Sequence, residues 1–476
     1  MCSFMSDSNT TALSTRQSRV FGMPVATPGV LVAYAPPGST TSDRCPVRGD
    51  FVVGRSTTCS LPINDDKVSK NHFRITGRDA RFTIEDLGST NGTFLNGRRI
   101  IGASPLPDNA VIRVGREVMV FHCNAAPMLE PLPANRYGLN GPFHTATLLQ
   151  QLSEAAHSNR HVLLTGPSGS GKELAANALA KMLGKADEAL EVLAFNAARF
   201  TSEDEATATV FGVAPKVFSN VDQRPGLIEQ AKGGVLFLDE VHNLPARVQR
   251  SLLRTIEDGA FSRIGESRPR PADVHWVLAS NEPGPGFGLA HDLLARLRVT
   301  TIPPLRERLA DIPEIFLSAI IMSLTSNGFD GRGIGALFGG DHFEAMCLDG
   351  FVHQNVRGIL DVVDRLVSKM ITGVQPADAI ASVFLERFGD GPVTKRYAKA
   401  PSPAPASPRH EPTKPGRPST IPGGDNSHYE QYKPEIIKAY LACGGNLTAT
   451  ERMLKSAGIR CTRRWIGVFA KKWGLR

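Results

Sequence analysis

The sequence predicts a multidomain protein: an N-terminal β-sandwich, a central α/β domain with a helical lid, and a small all-α domain at the C-terminus. Three observations predict this fold class. Short β-rich runs alternate with turn residues over residues 28–124. Two apolar strand-like runs lie in residues 136–388, and the first leads into a glycine-rich loop. Apolar residues at helical spacing return after residue 428.

Composition divides the chain further. A length of 476 residues suits about three domains. Residues 389–427 are rich in Pro, Ser, Ala and Gly, a composition that cannot bury a core. The expected boundaries are a disordered N-terminus at 1–27, the sandwich at 28–124, a short linker at 125–135, the α/β domain at 136–388, a disordered Pro-rich linker at 389–427 and the helical domain at 428–476.

Charge and cysteine usage narrow the class of protein. The seven cysteines include no C-x-x-C pair, which argues against a zinc site or a disulfide framework. No apolar run approaches the length of a membrane span, and Met1–Arg19 lack the apolar core of a signal peptide, so we expect a cytoplasmic protein without a membrane partner. The net charge is +8, and +7 of it lies between Tyr429 and Arg476. A compact basic end on a near-neutral body indicates a nucleic-acid partner.

The glycine-rich loop predicts nucleotide binding. Residues Gly166–Lys172 fit the template G-x-x-x-x-G-K and follow an apolar strand, so backbone N–H groups and the Lys172 ammonium can bind phosphate oxygens. A second strand, Val235–Leu238, ends in Asp239 and Glu240. Asp239 would hold Mg²⁺ and Glu240 would polarise the attacking water. We therefore expect ATP and Mg²⁺ as cofactors. The predicted ATP-binding residues are Gly166, Pro167, Ser168, Gly169, Ser170, Gly171, Lys172 and Glu173.

Three polar loops punctuate the sandwich: residues 54–56, 69–72 and 86–97, called the recognition loops below. Gly54-Arg55, then Ser69 to His72, then Asn91-Gly92 arrive in the order typical of the forkhead-associated (FHA) family, which this domain closely resembles. The resemblance implies binding of a phosphothreonine peptide, with His72 bracing the loops. An Arg can grip phosphate with two hydrogen bonds, and a Ser hydroxyl can add another. The implied contact residues are Arg55, Ser69, Lys70, Thr90 and Asn91.

Residues 136–385 resemble the AAA+ domain of bacterial sigma-54-dependent transcription activators. The motifs that carry the resemblance include Phe211-Gly212, Gly233–Glu240 and Pro304–Arg308 with Asp311-Ile-Pro313. It implies a ring of subunits, and a Glu at 173 is usual in that family. It further implies the following roles: Asn196 restrains Glu240, Asn281 is a sensor, Arg296 is an arginine finger reaching a neighbouring subunit, and Arg357 is a second sensor.

The chain departs from that family at three places. Lys216–Val221 replaces the loop that grips the sigma factor; Phe218 and Ser219 keep the aromatic and hydroxyl characters, but both glycines are absent. The first arginine-finger position is Ala290, and Val352–Gln354 replaces a W-P-G motif. Because of these changes, the sequence is compatible both with contact to sigma-54 and with its loss. The presence of Lys172, Asp239 and Glu240 argues against a nucleotide site that has lost its activity.

The C-terminal segment predicts three short amphipathic helices. Ile466, Phe469 and Trp473 form the apolar stripe of the last one, and Gly444-Gly445-Asn446 precedes the second. This pattern resembles the factor-for-inversion-stimulation (Fis) type of helix-turn-helix. The resemblance places Arg463, Arg464 and Lys471 on the side facing a DNA major groove. The alternative is a small basic bundle that binds protein.

Together these patterns predict a phosphorylation-responsive bacterial regulator that binds promoter-upstream DNA and uses ATP hydrolysis to activate sigma-54 RNA polymerase. Its phosphothreonine partner would be linked to a Ser/Thr kinase. The alternative, from another class, is a phosphothreonine-binding and DNA-binding adaptor whose divergent ATPase does not engage sigma-54.

Overall fold

The computed structural model describes residues 26–39, 41–78, 81–133, 135–184, 188–215, 224–282, 286–389, 433–442, 450 and 454–455. They belong to two compact units, residues 1–400 and 401–476. The disordered N-terminus expected at 1–27 and the disordered linker expected at 389–427 lie mostly outside these described residues. The same is true of the second and third C-terminal helices, and Phe218 and Ser219 lie outside them altogether.

The described residues of the N-terminal domain form eleven strands in two packed sheets, which confirms the predicted sandwich. The strands are β1 (Gly29–Tyr34), β2 (Arg44–Pro46), β3 (Phe51–Gly54), β4 (Leu61–Pro62), β5 (Phe73–Arg78), β6 (Arg81–Asp86), β7 (Thr93–Leu95), β8 (Arg98–Arg99), β9 (Ala103–Leu106), β10 (Ala110–Val114) and β11 (Glu117–His122). One sheet has the order β2-β1-β11-β10-β7-β8 and the other β4-β3-β5-β6-β9.

The two sheets differ in how they are buried. Strand β6 alternates exposed and buried residues, because only one of its faces meets the sandwich core. Strands β1 and β11 are buried at every position, so both of their faces are covered. One face packs in the sandwich core, and the other packs against helices of the central domain. The continuous apolar runs that predicted these strands therefore also reflect a packing partner outside the sandwich.

The central domain begins with helices and then winds around a parallel sheet in the order β13-β16-β19-β12-β20. Its elements are α1 (Ala126–Leu129), α2 (His144–His157), β12 (Val162–Thr165), α3 (Lys172–Leu183), β13 (Val192–Asn196), α4 (Glu203–Phe211), β14 (Gly212–Val213), β15 (Arg224–Pro225), α5 (Leu227–Gln230), β16 (Val235–Asp239), α6 (Ala246–Asp258), β17 (Ala260–Phe261), β18 (Arg270–Pro271), β19 (His275–Ser280), α7 (His291–Arg296) and β20 (Arg298–Thr301).

This topology positions the candidate site. Residues 166–172, called the nucleotide loop below, join the end of β12 to the start of α3. Thr165 pairs with Ser280 in register, and β16 runs parallel to β19 on its other side. The carboxyl ends of β12, β16 and β19 therefore meet at one edge of the sheet, where ligands bind in open α/β sheets.

A helical lid follows the sheet. Its helices are α8 (Ile312–Ser326), α9 (Gly340–Asp349), α10 (Val356–Ile371) and α11 (Pro376–Phe388). The window Leu309–Ser326 is long and apolar enough to cross a membrane by length and composition, and 56% of it is buried. It packs as the central helix of the lid, together with α9, α10 and α11.

The sandwich and the lid share one apolar core. Tyr34 of β1 lies on Phe343 of α9, with 4.2 Å between ring centroids, and its hydroxyl donates to the Phe338 carbonyl at 3.1 Å. The segment expected to be a linker takes part, because α1 lies inside it and Met128 is buried in the same core. Sequence patterns alone did not indicate this contact.

In the second unit, the described residues include α12 (Lys433–Ala442). Ile436, Ala439 and Tyr440 are buried, and Ile436 and Tyr440 belong to the apolar face expected for the first C-terminal helix.

Candidate functional site

The nucleotide loop depends on its glycines. Gly166, Gly169 and Gly171 have φ angles of 148°, 74° and 105°, a region that residues with a side chain rarely adopt. A Cβ atom at Gly166 would lie 2.4 Å from the Ile302 carbonyl oxygen, and one at Gly169 would lie 2.5 Å from the Gln354 carbonyl oxygen. The backbone therefore forms a tight cradle between the sheet and the lid.

Lys172 is the first residue of α3, and its side chain turns back over the loop. Its Nζ donates to the Gly166 carbonyl at 2.9 Å and to the Pro167 carbonyl at 3.3 Å. Burial lowers the pKa of Lys172, and the nearby carboxylates of Asp239 and Glu240 oppose that shift. An ammonium in this position, at the positive end of a helix, can stabilise a bound polyphosphate.

The loop fits a triphosphate chemically. The Ser170 hydroxyl is buried and makes no hydrogen bond within the described part of the chain, so it is available as a donor in the cradle. Ser168 and Glu173 are exposed, on the loop and in the first turn of α3. No cluster of three or more metal-ligating side chains occurs among the described residues, so Mg²⁺ would need oxygens from the nucleotide and water beside Asp239.

The two carboxylates stand at the carboxyl end of β16. The Glu240 N–H donates to Asp239 Oδ1 at 3.0 Å, and Glu240 has a left-handed φ of 53°. Such a backbone is uncommon for a residue with a side chain and stores strain at functional sites. It turns the Glu240 side chain toward the end of β19. There Asn281 Nδ2 donates to Glu240 Oε1 at 2.9 Å.

The residue contacting Glu240 differs from the expectation. Asn196 lies beside Asp239 in the sheet register, but its Oδ1 accepts the Ala198 N–H at 2.9 Å and caps the following turn. The amide that contacts Glu240 is that of Asn281, while His242 Nδ1 lies 3.6 Å from Glu240 Oε2. In this structure Asn281 holds Glu240, and the restraint assigned to Asn196 stays a prediction.

The two predicted arginines lie on different elements. Arg357, in the first turn of α10, has Nη1 3.5 Å from the Ser168 hydroxyl, so it reaches the nucleotide loop from the lid. Arg296, at the end of α7, is more than half exposed and pairs with Glu257 at 2.7 Å. Ala290 is the N-cap residue of the same helix. Arg296 is thus on the surface, away from the loop of its own chain.

Two functional candidates were missed by the sequence analysis. Arg308 is 7% exposed, and its Nη2 donates to the Ser170 carbonyl at 2.7 Å. Asn355 Nδ2 donates to the Ser168 carbonyl at 2.9 Å, and its Oδ1 accepts the Leu305 N–H at 2.9 Å. Arg308 falls in the Pro304–Arg308 motif, which carried only the family resemblance, and Asn355 lies two residues before Arg357. Nothing local in the sequence distinguished Arg308 from the neighbouring charges Arg306 and Glu307.

The recognition loops of the sandwich are hydrogen-bonded to one another. The Thr90 N–H donates to the Ser69 hydroxyl at 3.1 Å, and Asn91 Nδ2 donates to the Lys67 carbonyl at 2.7 Å. The Arg55 N–H donates to the Ser69 carbonyl at 2.8 Å, and its Nε donates to the Val68 carbonyl at 3.1 Å. Arg55, Lys70, Thr90 and Asn91 are exposed and Ser69 is half-buried, so the five predicted residues line one surface.

Two side chains brace this surface from below, the buried His72 and the half-buried Asp86. His72 Nδ1 accepts the Ser69 N–H at 3.0 Å, and its Nε2 lies 3.2 Å from the Gly92 carbonyl. Nδ1 must then lack a proton, so Nε2 carries it and donates to Gly92. Burial lowers the pKa of His72, in agreement with a neutral ring.

Asp86 is the second brace. Its carboxylate accepts hydrogen bonds from the hydroxyls and backbone N–H groups of Ser89 and Thr93 at 2.7 to 2.9 Å. Burial disfavours the charge, but these hydrogen bonds outweigh it and lower the pKa of Asp86 to about 2. The carboxylate therefore stays ionised and holds the third loop at physiological pH.

The remaining predicted residues lie outside the described part of the chain: Phe218, Ser219, Arg463, Arg464 and Lys471. Only the base of the sigma-factor loop is described. There Gly212 pairs with Pro225 and Val213 with Arg224 in an antiparallel ladder. The two ends of the loop are thus held side by side.

Comparison with known proteins supports the resemblances to the FHA family and to the sigma-54-dependent activators. A family model described as the sigma-54 interaction domain matches residues 143–303, and one described as the FHA domain matches residues 51–115. The chain therefore carries these two domains, an FHA β-sandwich and an α/β domain of the AAA+ type.

Several relatives match a part of this chain. Nitric oxide reductase transcription regulator NorR2 of Cupriavidus necator is 40% identical over 174 residues, which is 35% of this chain and 33% of that protein. The Psp operon transcriptional activator of Escherichia coli is 37% identical over 172 residues, 35% of this chain and 52% of that protein. A solved structure of NtrX from Brucella abortus with ADP is 23% identical, with a TM-score of 0.43, and covers 71% of this chain and 70% of that one. The chain spans about a third of the length of the first relatives it matches.

Proposed function

We propose that this chain, which carries an FHA domain and a sigma-54 interaction domain, is a phosphorylation-responsive bacterial transcription regulator. It hydrolyses ATP to activate RNA polymerase that contains sigma-54. The observation that carries this proposal is the convergence of Lys172, Asp239 and Glu240 at one edge of the central sheet, inside the sigma-54 interaction domain. A domain without ATPase activity would not require these three residues.

The nucleotide loop binds the triphosphate of MgATP through its backbone N–H groups and Lys172. Lys172 exchanges its carbonyl partners, Gly166 and Pro167, for phosphate oxygens. Asp239 holds the Mg²⁺ of the substrate, directly or through water. Glu173 is exposed and has no hydroxyl that could bind this ion, so the binding of Mg²⁺ depends on Asp239.

Glu240 accepts a proton from the attacking water. Asn281 Nδ2 donates to Glu240 Oε1 at 2.9 Å, so this hydrogen bond must break or the carboxylate must turn before Glu240 can accept a proton. Arg357 reports from the lid on the nucleotide, since it already lies near Ser168. Arg296 serves a neighbouring subunit: it is exposed at the end of α7, and it would exchange Glu257 for a γ-phosphate across a ring interface.

The FHA domain supplies the input. Arg55 and Ser69 bind the phosphate of a phosphothreonine, Lys70 adds charge, and Thr90 and Asn91 hold the peptide backbone. The phosphorylated partner is a substrate of a Ser/Thr kinase. The output lies elsewhere in the chain: Phe218 and Ser219 contact sigma-54, and Arg463, Arg464 and Lys471 contact DNA upstream of the promoter. The protein acts in the cytoplasm as a homo-oligomeric ring.

Transcription from a sigma-54 promoter with the purified full chain and ATP tests this proposal. Glu240→Gln is the matched control, because it removes the base and keeps the shape of the side chain. We expect ATP-dependent transcription with the parent and none with Glu240→Gln. ATP hydrolysis without transcription would contradict the activator function and support the adaptor alternative.

The sigma-factor loop gives a second arm of that assay. Phe218→Ala should abolish transcription and leave ATP hydrolysis unchanged, because Phe218 belongs neither to the nucleotide loop nor to the strand end that carries Asp239 and Glu240. Unchanged transcription with Phe218→Ala would exclude this ring as the sigma-54 contact.

A further inference from the structure

A short connector, residues 305–311, lies between the nucleotide loop and the FHA domain. It consists of two 3-10 turns, Leu305–Glu307 and Leu309–Asp311. Arg308 stands between the turns and donates from Nη2 to the Ser170 carbonyl at 2.7 Å. Its guanidinium is thus in direct contact with the backbone that is expected to cradle phosphate.

Arg308 is held in an unusual environment for a charged side chain. It is 7% exposed, and burial lowers its pKa, opposed by the carboxylate of Asp311. Burying a charge costs free energy unless the charge makes hydrogen bonds, so loss of the hydrogen bond from Arg308 to Ser170 would destabilise the folded protein. Asp311 is itself fully buried and accepts the Phe143 N–H at 2.8 Å, which fixes the far end of the connector.

The other side of the connector faces the FHA domain. Leu305, Leu309 and Ala310 belong to the same apolar core as Leu31 and Val120 of strands β1 and β11. Asn109, in the turn before β10, donates from Nδ2 to the Arg306 carbonyl at 2.7 Å. The connector is therefore held by the sandwich on both sides of Arg308, at Arg306 and at Leu309.

A buried ion pair locks the FHA domain to the lid beside this connector. Arg113 Nε of β10 lies 2.6 Å from Glu344 Oε2 of α9, and the two side chains are 12% and 3% exposed. The Arg113 guanidinium also lies over the Phe94 ring, 3.9 Å from its centroid. Nearby, a Cβ atom at Gly340 would lie 2.5 Å from the Arg116 carbonyl oxygen, so the backbones are in close contact.

We propose that Arg308 is a positioning residue for the nucleotide loop, and that the FHA domain, packed on the connector and locked by Arg113 and Glu344, sets the position of Arg308. The proposal rests on the proposed function for the identity of the nucleotide. It adds that the FHA domain is a structural part of the nucleotide site, beyond its role as a peptide receptor.

The test measures two properties of the full chain: the affinity for ADP, and hydrogen exchange of a peptide covering residues 166–172 without nucleotide. Arg308→Ala should accelerate exchange in that peptide and weaken ADP binding by about tenfold to a hundredfold, the cost of losing a hydrogen bond from a charged donor. Arg308→Lys should recover part of the affinity. If Arg308→Ala folds and changes neither property, Arg308 has no positioning role. If it fails to fold, Arg308→Lys decides by the same two measurements.

The contribution of the FHA domain is tested separately. Glu344→Arg should accelerate exchange in the 166–172 peptide, and the double reversal Arg113→Glu with Glu344→Arg should slow it again. A matched control is the exposed lid pair Arg365 and Asp361, 3.0 Å apart, whose reversal should leave the peptide unchanged. Faster exchange in the lid but not in the loop would overturn the role assigned to the FHA domain. Because the exchange arm needs no nucleotide, a parent that fails to bind ADP would count against the proposed function alone.

Discussion

The recognition loops and the nucleotide loop differ in how the side chains that act are held. In the FHA domain the loops are braced by His72, which is buried, and Asp86, which is half-buried; neither is a contact residue, and the contact side chains that donate to loop carbonyls, those of Arg55 and Asn91, stay exposed. In the nucleotide site the functional groups bond to their own surroundings: Lys172 to loop carbonyls and Glu240 to Asn281.

This difference distinguishes a receptor from a switch. A receptor with braced loops loses little conformational entropy when it binds, which favours affinity. A catalytic site whose base is held by another side chain must rearrange before it reacts, and such steps can be regulated. We therefore expect that mutations in the central domain can separate nucleotide binding from ATP turnover. Mutations in the FHA domain should change peptide binding alone.

The largest effect should come from the base. Glu240→Gln should lower ATP turnover by about a hundredfold to ten-thousandfold, because an amide cannot accept a proton from water. Nucleotide affinity should stay near that of the parent. Turnover at the parent rate in a steady-state phosphate-release assay would remove Glu240 from the mechanism.

Removal of the loop cation should act on binding. Lys172→Ala should weaken ATP binding by about a hundredfold, since the triphosphate loses a charge-assisted contact. Titration with a fluorescent ATP analogue measures this affinity. Lys181→Ala is the control, because Lys181 is exposed on the same helix and donates to the Tyr137 carbonyl instead. An equal loss in both variants would show a general effect on α3.

The peptide receptor should lose affinity by a smaller factor. Arg55→Ala should weaken binding of a phosphothreonine peptide by about tenfold to a hundredfold, the cost of a charge-assisted hydrogen bond. Arg81→Ala is a matched control: Arg81 lies at the far end of the β5–β6 hairpin, opposite Arg78, whereas the recognition loops adjoin Phe73 and Asp86. Isothermal titration with phosphorylated and unphosphorylated peptides measures both variants. Equal binding of the two peptides by the parent would contradict the phosphothreonine assignment.

The smallest expected effect is on the pH dependence of stability. Burial holds the pKa of His72 below its ordinary value of about 6.5. Below that pH the unfolded chain takes up a proton that the folded domain resists, so the stability contributed by neutral His72 is present above about pH 6.5 and decreases as pH falls. Urea unfolding at pH 7.5 and pH 5 should show this loss. It should diminish in His72→Gln and persist in His157→Gln, whose ring is exposed. An identical pH dependence in the parent and His72→Gln would refute it.

Much of the fold followed from local patterns. Apolar runs at Val30–Tyr34 and Val118–Phe121 coincide with β1 and β11, and the glycine-rich template lies where β12 turns into α3. These signals are local, because strand propensity, turn chemistry and glycine dihedral angles depend on neighbouring residues. Short strands such as β4 and β8 escaped notice, since two residues carry too little pattern to recognise.

Site geometry was predictable only where backbone register determines it. Asp239 and Glu240 were placed correctly at a strand end, because consecutive residues cannot separate. The partner of Glu240 was assigned to Asn196, yet Asn281 makes the contact. Both amides follow strands of the same sheet, and only side-chain rotamers decide which one reaches the carboxylate.

The sequence by itself determined the two domain types, the cradle of residues 166–172 and the order of the recognition loops, because each depends on residues close together in the chain. Only the tertiary structure decided that the FHA domain and the lid share one core and that Arg308 reaches the Ser170 carbonyl. Arg113 and Glu344 are 231 residues apart, and nothing local distinguishes them from surface charges. Their pairing follows from how the buried faces of β1, β10 and β11 meet helices α8 and α9, a packing choice that no single segment encodes.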